Sequence, residues 1–359
     1  MPRVIGIDPG TVSIDLCGLD DGALFLDCSL PTAAALADPA RFVATLERAG
    51  PLDLIVGPSG YGLPMRRARE ATDDEIRIAF LAAEGDRGGI GGLRALARAL
   101  AHTSLPVVFT PGVIHLDSVP PSRKVNRVDM GTADKVCAAA LAIADQSLRR
   151  RCAPSAVSLV LLELGGAFTA ALAVEGGRIV DGIGGTGGPL GMRSAGALDA
   201  EVAFLAGQVD KSMVFRGGAA SVSGSADITP ERLAERASPG SRVAWDAYME
   251  SAVKAVAALT VSVRHPREIV LSGRVARVAA ARAQLAERLS AIAPIRVADG
   301  FAKVAKEGAQ GAAILADGLS DGRWSSLVDT MGIREARGTV LDHLYVIDPA
   351  IARRTLGIS

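Results

Sequence analysis

The feature that most constrains this chain is a pattern that occurs twice. Near the start, the β-branched runs Arg3–Asp8 and Val12–Leu19 flank the turn Asp8-Pro9-Gly10-Thr11, which predicts a β-hairpin. The second half repeats this pattern, with the turn Gly165-Gly166-Ala167 between the runs Val157–Leu164 and Phe168–Val174. We therefore expect two related halves, each beginning with a hairpin whose tip carries glycine beside an acidic residue.

The rest of each half predicts further strands and helices, and so an α/β fold. With 359 residues and roughly 150 residues per domain, the chain predicts about two domains. We place the boundary at the basic run Arg149-Arg150-Arg151, which precedes a Pro154-Ser155 break. The expected domains are residues 1–150 and residues 151–359, with a C-terminal helical tail that packs back across them.

Composition excludes several classes of protein. Hydrophobic residues make up 49% and charged residues 22%, which is typical of a globular protein rather than a disordered one. The 39 basic and 39 acidic residues balance, so a general basic footprint for nucleic acid is missing. No run approaches 18 uninterrupted apolar residues, and we expect no membrane span. The 4 cysteines form no metal-ligand spacing, and we interpret them as reduced thiols of a cytoplasmic protein.

Glycine turns after apolar strands are suited to phosphate binding. Backbone N–H groups at a sharp turn can hold a phosphate, and a nearby carboxylate can hold its magnesium counter-ion. Gly6–Ser13 supplies these parts, although an Asp-Pro-Gly turn alone is equally typical of a structural hairpin. Glu163–Ala167 is a second such tip, and Leu271-Ser272-Gly273-Arg274 is a third glycine turn. Three tips in this order are far more specific than one.

In these three segments the chain resembles the acetate kinase, sugar kinase, heat-shock chaperone and actin superfamily. The resemblance implies two RNase H-like domains, each with a mixed five-stranded sheet, closing on ATP and Mg²⁺. Small-residue helices at 131–144 and 308–317 match the pair that crosses at the hinge of that superfamily. The site residues implied for the nucleotide and its metal are Asp8 (magnesium, through water), Gly10, Thr11 and Ser13 (terminal phosphates), Gly165 and Gly166 (second phosphate loop), and Ser272 and Gly273 (adenosine). Where the superfamily often has Asp, this chain has Glu163, a longer carboxylate that would orient a metal-bound water or simply end its strand.

Within the superfamily, the chain is most similar to the butyrate kinases, particularly the group known as predicted butyrate kinases. Residues 185–198 resemble their Gly-x-Gly-Pro…Arg-x-Gly-x-Leu segment in altered spacing, which places Arg193 at the acceptor. A polar, basic segment from His115 to Arg127 falls where those enzymes have one before the hinge helix. The resemblance also implies a homodimer.

An acceptor carboxylate is already ionised at neutral pH, so its phosphorylation needs cations rather than a general base. The basic residues considered for this role are Arg66, Arg67, Arg123, Lys124, Arg127 and Arg193. Each is equally explained as a solvated surface charge. A hydroxyl acceptor would instead require a base, and Asp129 is the candidate, unless it only caps the following helix or turns the chain before Gly131.

Two other motifs carry less weight. Gly182-x-Gly184-x-x-Gly187 matches the dinucleotide fingerprint, but Pro189 and Gly191 interrupt the helix it needs, so we expect a loop. His115 has either an acid–base or a structural role. We therefore expect an ATP-dependent kinase that makes an acyl phosphate. The alternative is a nucleotide-driven switch, which needs no cations such as Arg66, Arg67 and Arg193 converging on an acceptor pocket.

Overall fold

A computed structural model of the chain describes residues 2–83 and 89–358. Within these residues the strands form two mixed sheets, one in each half of the chain. The strands are β1 (Arg3–Pro9), β2 (Ser13–Asp20), β3 (Ala23–Pro31), β4 (Leu54–Val56), β5 (Arg66–Arg67), β6 (Val107–Phe109), β7 (Ser158–Leu164), β8 (Thr169–Glu175), β9 (Arg178–Ile183), β10 (Ile269–Ser272) and β11 (Ile295–Val297).

The two sheets share one topology. The first has the order β3-β2-β1-β4-β6-β5 and the second β11-β10-β7-β8-β9. In both, a three-stranded antiparallel meander (β1–β3, β7–β9) continues through two parallel strands (β4 and β6, β10 and β11). The predicted two-sheet α/β fold is therefore confirmed, with one correction. The first sheet has six strands rather than five, because Arg66 and Arg67 pair antiparallel with β6 at its edge.

Helices cover both faces of each sheet. They are α1 (Thr32–Ala37), α2 (Pro39–Glu47), α3 (Asp73–Phe80), α4 (Gly89–Ala101), α5 (Pro121–Lys124), α6 (Ala133–Arg150), α7 (Ala200–Ala206), α8 (Ala219–Ser223), α9 (Pro230–Ala234), α10 (Pro239–Leu259), α11 (Ala279–Leu289), α12 (Glu307–Leu319), α13 (Ser325–Met331) and α14 (Pro349–Thr355). None of the described helices is both long and apolar enough to cross a membrane.

Three hydrophobic clusters follow from the two-residue period of the strands. In β1, Ile5 and Ile7 face the outer helices α2 and α4, while Val4 faces the centre of the molecule. In β7, Val160 and Leu162 likewise face α10 and α11, while Leu161 faces the centre. The central cluster is built around α6 and α12, which pack against each other between the two sheets.

Each central helix packs on the sheet formed by the other half of the chain. α12 follows the second sheet in sequence, yet it packs on β1, β2 and β4 of the first, while α6 packs on β7 and β8 of the second. Gly6 in β1 makes the first contact possible, since a Cβ there would lie 2.2 Å from the Ala313 amide nitrogen. The C-terminal tail also returns to the first half, where Arg77 Nη1 donates to the Gly357 carbonyl at 3.0 Å.

Candidate functional site

A cleft of about 1200 Å³ lies between the two sheets. It is lined at the carboxyl ends of strands from both, where ligands bind in open α/β sheets. The lining includes Asp8 and Glu163, which lie near the ends of β1 and β7, and the residues directly after β4, β6 and β10, which are Gly57, Thr110 and Gly273. The two hairpin tips that the sequence predicts therefore share one crevice.

Hydrogen bonds and an ion pair fix the first hairpin tip, residues 8–13. The Gly10 amide donates to the Asp8 carbonyl at 3.1 Å, and Thr32 Oγ1 donates to the Gly10 carbonyl at 2.7 Å. Lys306, the residue before α12, donates from Nζ to Ser13 Oγ and forms an ion pair with buried Asp15 at 3.2 Å. Thr11 is exposed at the cleft. The tip thus presents backbone, a hydroxyl and an ammonium group to the same space.

The second and third glycine turns pack against each other. The Gly165 amide donates to the Phe168 carbonyl at 2.9 Å, closing the tip between β7 and β8. Gly273 has φ +85°, and a Cβ there would lie 2.6 Å from the Leu164 carbonyl oxygen. Only glycine fits this backbone conformation and this close approach. Around a Cβ on Gly166 there is no atom within 4 Å, so this backbone faces open space.

Both central helices begin at the cleft. Thr132 precedes α6 and Lys306 precedes α12, and neither makes a side-chain capping hydrogen bond. Among the described residues no hydrogen bond engages the first N–H groups of α12, whereas in α6 the Ala133 amide donates to the Gly60 carbonyl at 3.1 Å and the Lys135 amide to the Thr132 carbonyl at 2.9 Å. Both helix dipoles add positive potential at the cleft. A Cβ on Gly308 would lie 2.8 Å from Asp8 Cγ, so α12 starts directly beside that carboxylate. Two helix N-termini at one cleft favour an anion between them.

A buried group of charges lies between the tips. Lys135 Nζ is 2.6 Å from Asp134 Oδ2 and 2.7 Å from Glu163 Oε1. Burial, with the charge of Asp134 nearby, raises the pKa of Asp8 to about 7. Burial also raises the pKa of Glu163. At Asp134 burial is the largest single effect, but the Lys135 charge and the hydrogen bonds from Lys135 and Thr132 together lower the pKa. These carboxylates overcome the effect of burial at Lys135 and hold its pKa well above the ordinary value.

The basic residues considered for the acceptor lie in different places. Arg193 lines the cleft and is exposed there, and its backbone amide donates to the Ala167 carbonyl of the second tip at 3.0 Å. Arg66 does not line the cleft, because edge strand β5 directs it to Glu75 at 2.6 Å. Arg123 also lies outside, donating to the Val180 carbonyl at 2.6 Å. Arg67, Lys124 and Arg127 are likewise absent from the lining.

Asp129 lies in the cleft, half-buried, and both of its oxygens are engaged. Oδ1 accepts from the Gly131 amide at 3.0 Å, and Oδ2 accepts from the Thr186 amide and hydroxyl at 3.0 and 3.1 Å. Burial raises its pKa despite these bonds. A Cβ on Gly184 would lie 1.9 Å from Asp129 Oδ1, so the glycine-rich loop after β9 closes tightly on this carboxylate.

Two other candidates stand away from the lining. Ser272 ends β10 and its buried Oγ has no hydrogen-bond partner among the described residues. His115 is 1% exposed, and its Nδ1 lies 3.3 Å from the Gly112 carbonyl oxygen. Burial, assisted by the Lys124 charge, lowers its pKa to about 4. Its position is that of a core histidine.

The sequence of this chain matches a known protein family. Residues 6–346 match the profile of a family described as "Protein of unknown function (DUF1464)". The chain belongs to the DUF1464 family. No curated protein matches the sequence significantly.

Solved structures show which fold this DUF1464 protein has. A propionate kinase from Francisella tularensis aligns with TM-score 0.61 and 12% identity, over 87% of this chain and 99% of the other. Acetate kinase from Entamoeba histolytica aligns with TM-score 0.59 and 13% identity, over 80% and 86%. That from Porphyromonas gingivalis gives TM-score 0.57 and 12% identity, over 87% and 98%. The predicted superfamily fold is confirmed, whereas the finer likeness to butyrate kinases stays a prediction.

Lys135 and Lys306, which line the cleft at the tips of this DUF1464 protein, were not among the site residues predicted from the sequence. The sequence predicts Lys306 as the first residue of a helix, but its contacts are with Asp15 and Ser13, which are remote in sequence. Lys135 carried a usable signal. A lysine in the first turn of a helix opposes the helix dipole, so its position asks for another explanation.

Proposed function

We propose that this protein is an ATP- and Mg²⁺-dependent phosphotransferase that phosphorylates a carboxylate to an acyl phosphate. The observation that carries the proposal is the single cleft shared by two glycine tips and two helix N-termini. Each of these four elements favours phosphate. The acetate and propionate kinases that share the fold support the acyl-phosphate chemistry.

The chain fits a nucleotide in three parts. Gly10, Thr11 and Ser13 present backbone and hydroxyl groups to the terminal phosphates, and Gly165 with Gly166 face them from the other side. The Gly273-Arg274 turn lines the cleft beside residues 226–230 at the start of α9, where the adenosine would lie. ATP supplies the phosphoryl group, and the chain supplies orientation and positive potential.

Asp8 fits the magnesium site. Mg²⁺ is usually held by one or two carboxylates together with substrate phosphates and water. In residues 2–83 and 89–358 no three potential protein ligands stand together as a ready-made metal site. Asp8, buried at the end of β1 and facing the cleft, is the carboxylate for this role. Glu163 is less suited, since Lys135 already neutralises it.

The acceptor side supports a carboxylate. Arg193 is the member of the basic set that reaches the cleft, and a guanidinium binds a carboxylate through two parallel hydrogen bonds. The apolar side chains of Phe80, Met192 and Phe215 line the same cleft. Asp129 would be the base for a hydroxyl acceptor, but its two oxygens are engaged by Gly131 and Thr186. A carboxylate acceptor needs no base.

The decisive experiment combines ADP release with chemical trapping. The protein is incubated with ATP, Mg²⁺ and a panel of carboxylates and polyols, with hydroxylamine present, since acyl phosphates yield hydroxamates and phosphate esters do not. We expect ADP and hydroxamate to form together with at least one carboxylate. ADP release with a stable phosphate ester would identify a hydroxyl acceptor instead.

A nucleotide-driven switch is the second candidate function. The observation that favours it is the position of Arg66 and Arg67 outside the cleft, which leaves fewer cations for an acceptor than the sequence predicts. A switch would be stabilised by Mg²⁺ and ATP in a thermal-shift assay but would release no ADP that depends on an acceptor. An acceptor-dependent turnover would exclude it.

A further inference from the structure

Lys135 occupies a position that helix stability does not explain. It is in the first turn of α6, where the helix dipole disfavours a cation, and its side chain is only 14% exposed. Removing an ammonium group from water is itself costly. A residue that opposes two physical preferences at a cleft is a candidate for function.

The ammonium group lies at the second hairpin tip. Glu163 Oε1, which it contacts at 2.7 Å, is 3.6 Å from the position of a Cβ on Gly165. Lys135 also lines the cleft together with Gly10 and Gly166. Its charge therefore stands where the two tips face each other, and α6 fixes its backbone.

The surrounding charges leave this site negative. Asp134 and Glu163 contact Lys135, Asp8 faces it from β1, and Lys306 and Glu307 lie at the start of α12. The ammonium is thus held by carboxylates, which are anions that a phosphate oxygen can replace. An ammonium–phosphate contact is a charge-assisted hydrogen bond, stronger than a neutral one.

We propose that Lys135 is a phosphate-binding residue that exchanges its ion pair with Asp134 and Glu163 for the terminal phosphate of a bound nucleoside triphosphate. This inference rests on the proposed function, because it requires the nucleotide in the cleft. The charge left on the two carboxylates is offset by the divalent cation that such a nucleotide carries. The contact distinguishes a triphosphate from a diphosphate, which has no terminal phosphate to offer.

The test measures binding rather than turnover. Isothermal titration with Mg²⁺ compares ADP and a non-hydrolysable ATP analogue in the wild type, K135Q and K135R. For K135Q we expect affinity for the analogue to fall about 10- to 100-fold, the range of one charge-assisted hydrogen bond, while affinity for ADP changes by less than about threefold. K135R keeps the positive charge and should keep most of the preference for the ATP analogue over ADP. K254Q, which removes an exposed ammonium paired with Glu250 at 2.7 Å, is the matched control and changes neither affinity.

The outcomes separate this inference from the proposed function. A wild type that binds neither nucleotide overturns both. A wild type that binds both, with K135Q losing the two affinities equally or neither, overturns only the role of Lys135 and leaves it a structural ion pair. If K135Q does not fold, a structure of the wild type with the bound analogue provides the test. Lys135 Nζ about 2.8 Å from a terminal phosphate oxygen supports the inference, whereas Nζ that remains paired with both carboxylates overturns it.

Discussion

A Cβ on Gly311 would lie 1.7 Å from the carbonyl oxygen of Cys137. The central helices α6 and α12 therefore touch backbone to backbone, with no room for a side chain. The small residues that the sequence shows in both helices are the means of this contact. The crossing also fixes both helix N-termini relative to each other, and so the distance between the elements proposed to bind phosphate.

Gly311→Ala should destabilise the fold strongly. Alanine is the better helix former by about 1 kcal/mol, but the added methyl group must displace the Cys137 carbonyl, and overpacking of this kind costs about 1–3 kcal/mol or more. We expect the free energy of unfolding in urea to fall by about 2 kcal/mol. Ala286→Gly, on the exposed face of α11, measures helix propensity alone and should lose about 1 kcal/mol. A G311A protein as stable as the wild type would contradict the close crossing.

Arg193→Gln should separate acceptor binding from nucleotide binding. Loss of a guanidinium–carboxylate contact should lower kcat/KM for the carboxylate about 10- to 100-fold, with ATP affinity nearly unchanged. Arg66→Gln removes a guanidinium that pairs with Glu75 outside the cleft and should change kcat/KM by less than about twofold. Steady-state kinetics with the carboxylate varied make the comparison. Equal losses in the two variants would refute the placement of the acceptor.

Asp129→Asn should report the class of acceptor. An amide cannot accept from both the Gly131 and Thr186 amides, so the variant should lose about 1–2 kcal/mol of stability. With a carboxylate acceptor no proton is removed, and kcat should fall by less than about tenfold. Loss of a general base would instead lower kcat about 10²- to 10⁴-fold. Unfolding curves and kcat measured on the same preparations distinguish these outcomes.

His115→Asn should weaken the acid sensitivity of the fold. The pKa of this buried histidine falls from about 6.5 when unfolded to about 4 when folded, so the unfolded state binds the proton first. Stability from the neutral ring is complete above pH 6.5 and is lost as the pH falls through 4, by up to about 3 kcal/mol. Asparagine keeps a donor near the Gly112 carbonyl but does not titrate. Urea unfolding at pH 7, 5.5 and 4 should show the free energies of unfolding of wild type and variant converging as the pH falls. A difference that stays constant with pH would contradict the role given to His115.

Much of the fold was predictable because its signals are local. Each glycine tip stands between apolar runs in the sequence, and residues 307–319 have the small-residue composition of a closely packed helix. The hairpin at the start of each sheet could be predicted because the same pattern of two apolar runs and a glycine turn occurs in both halves. Asp8 and Gly165 lie in different sheets, and it was the resemblance to the superfamily, with its nucleotide between two domains, that placed them at one cleft.

Three elements that the sequence did not predict, β3, β5 and α8, have no clear pattern of apolar residues. Strand β3 is half-buried at a sheet edge, so its residues lack the clean alternation of a core strand. β5 consists of two arginines paired with β6, and no pattern of apolar residues marks it. α8 falls in a small, polar stretch and owes its helix to packing against α10.

Among the site residues, too, those with a local sequence signal were predicted and those placed by remote partners were not. Glycines were found because turns require them, whereas the direction of an arginine depends on remote partners. Glu75 holds Arg66 and Asp181 lies beside Arg123, and neither pairing is visible in the spacing. The homodimer and the cytoplasmic location stay predictions from resemblance and composition.

The exchange of helices between the two sheets has a consequence for biosynthesis. One face of the first sheet is closed by α12, whose last residue is Leu319, so we expect that face to stay uncovered until the chain has been synthesised beyond Leu319. The two halves that repeat the hairpin pattern are therefore not two units that each supply all of their own packing. A fragment ending near residue 150 should expose an apolar sheet surface and aggregate, and the two halves must complete their folding together.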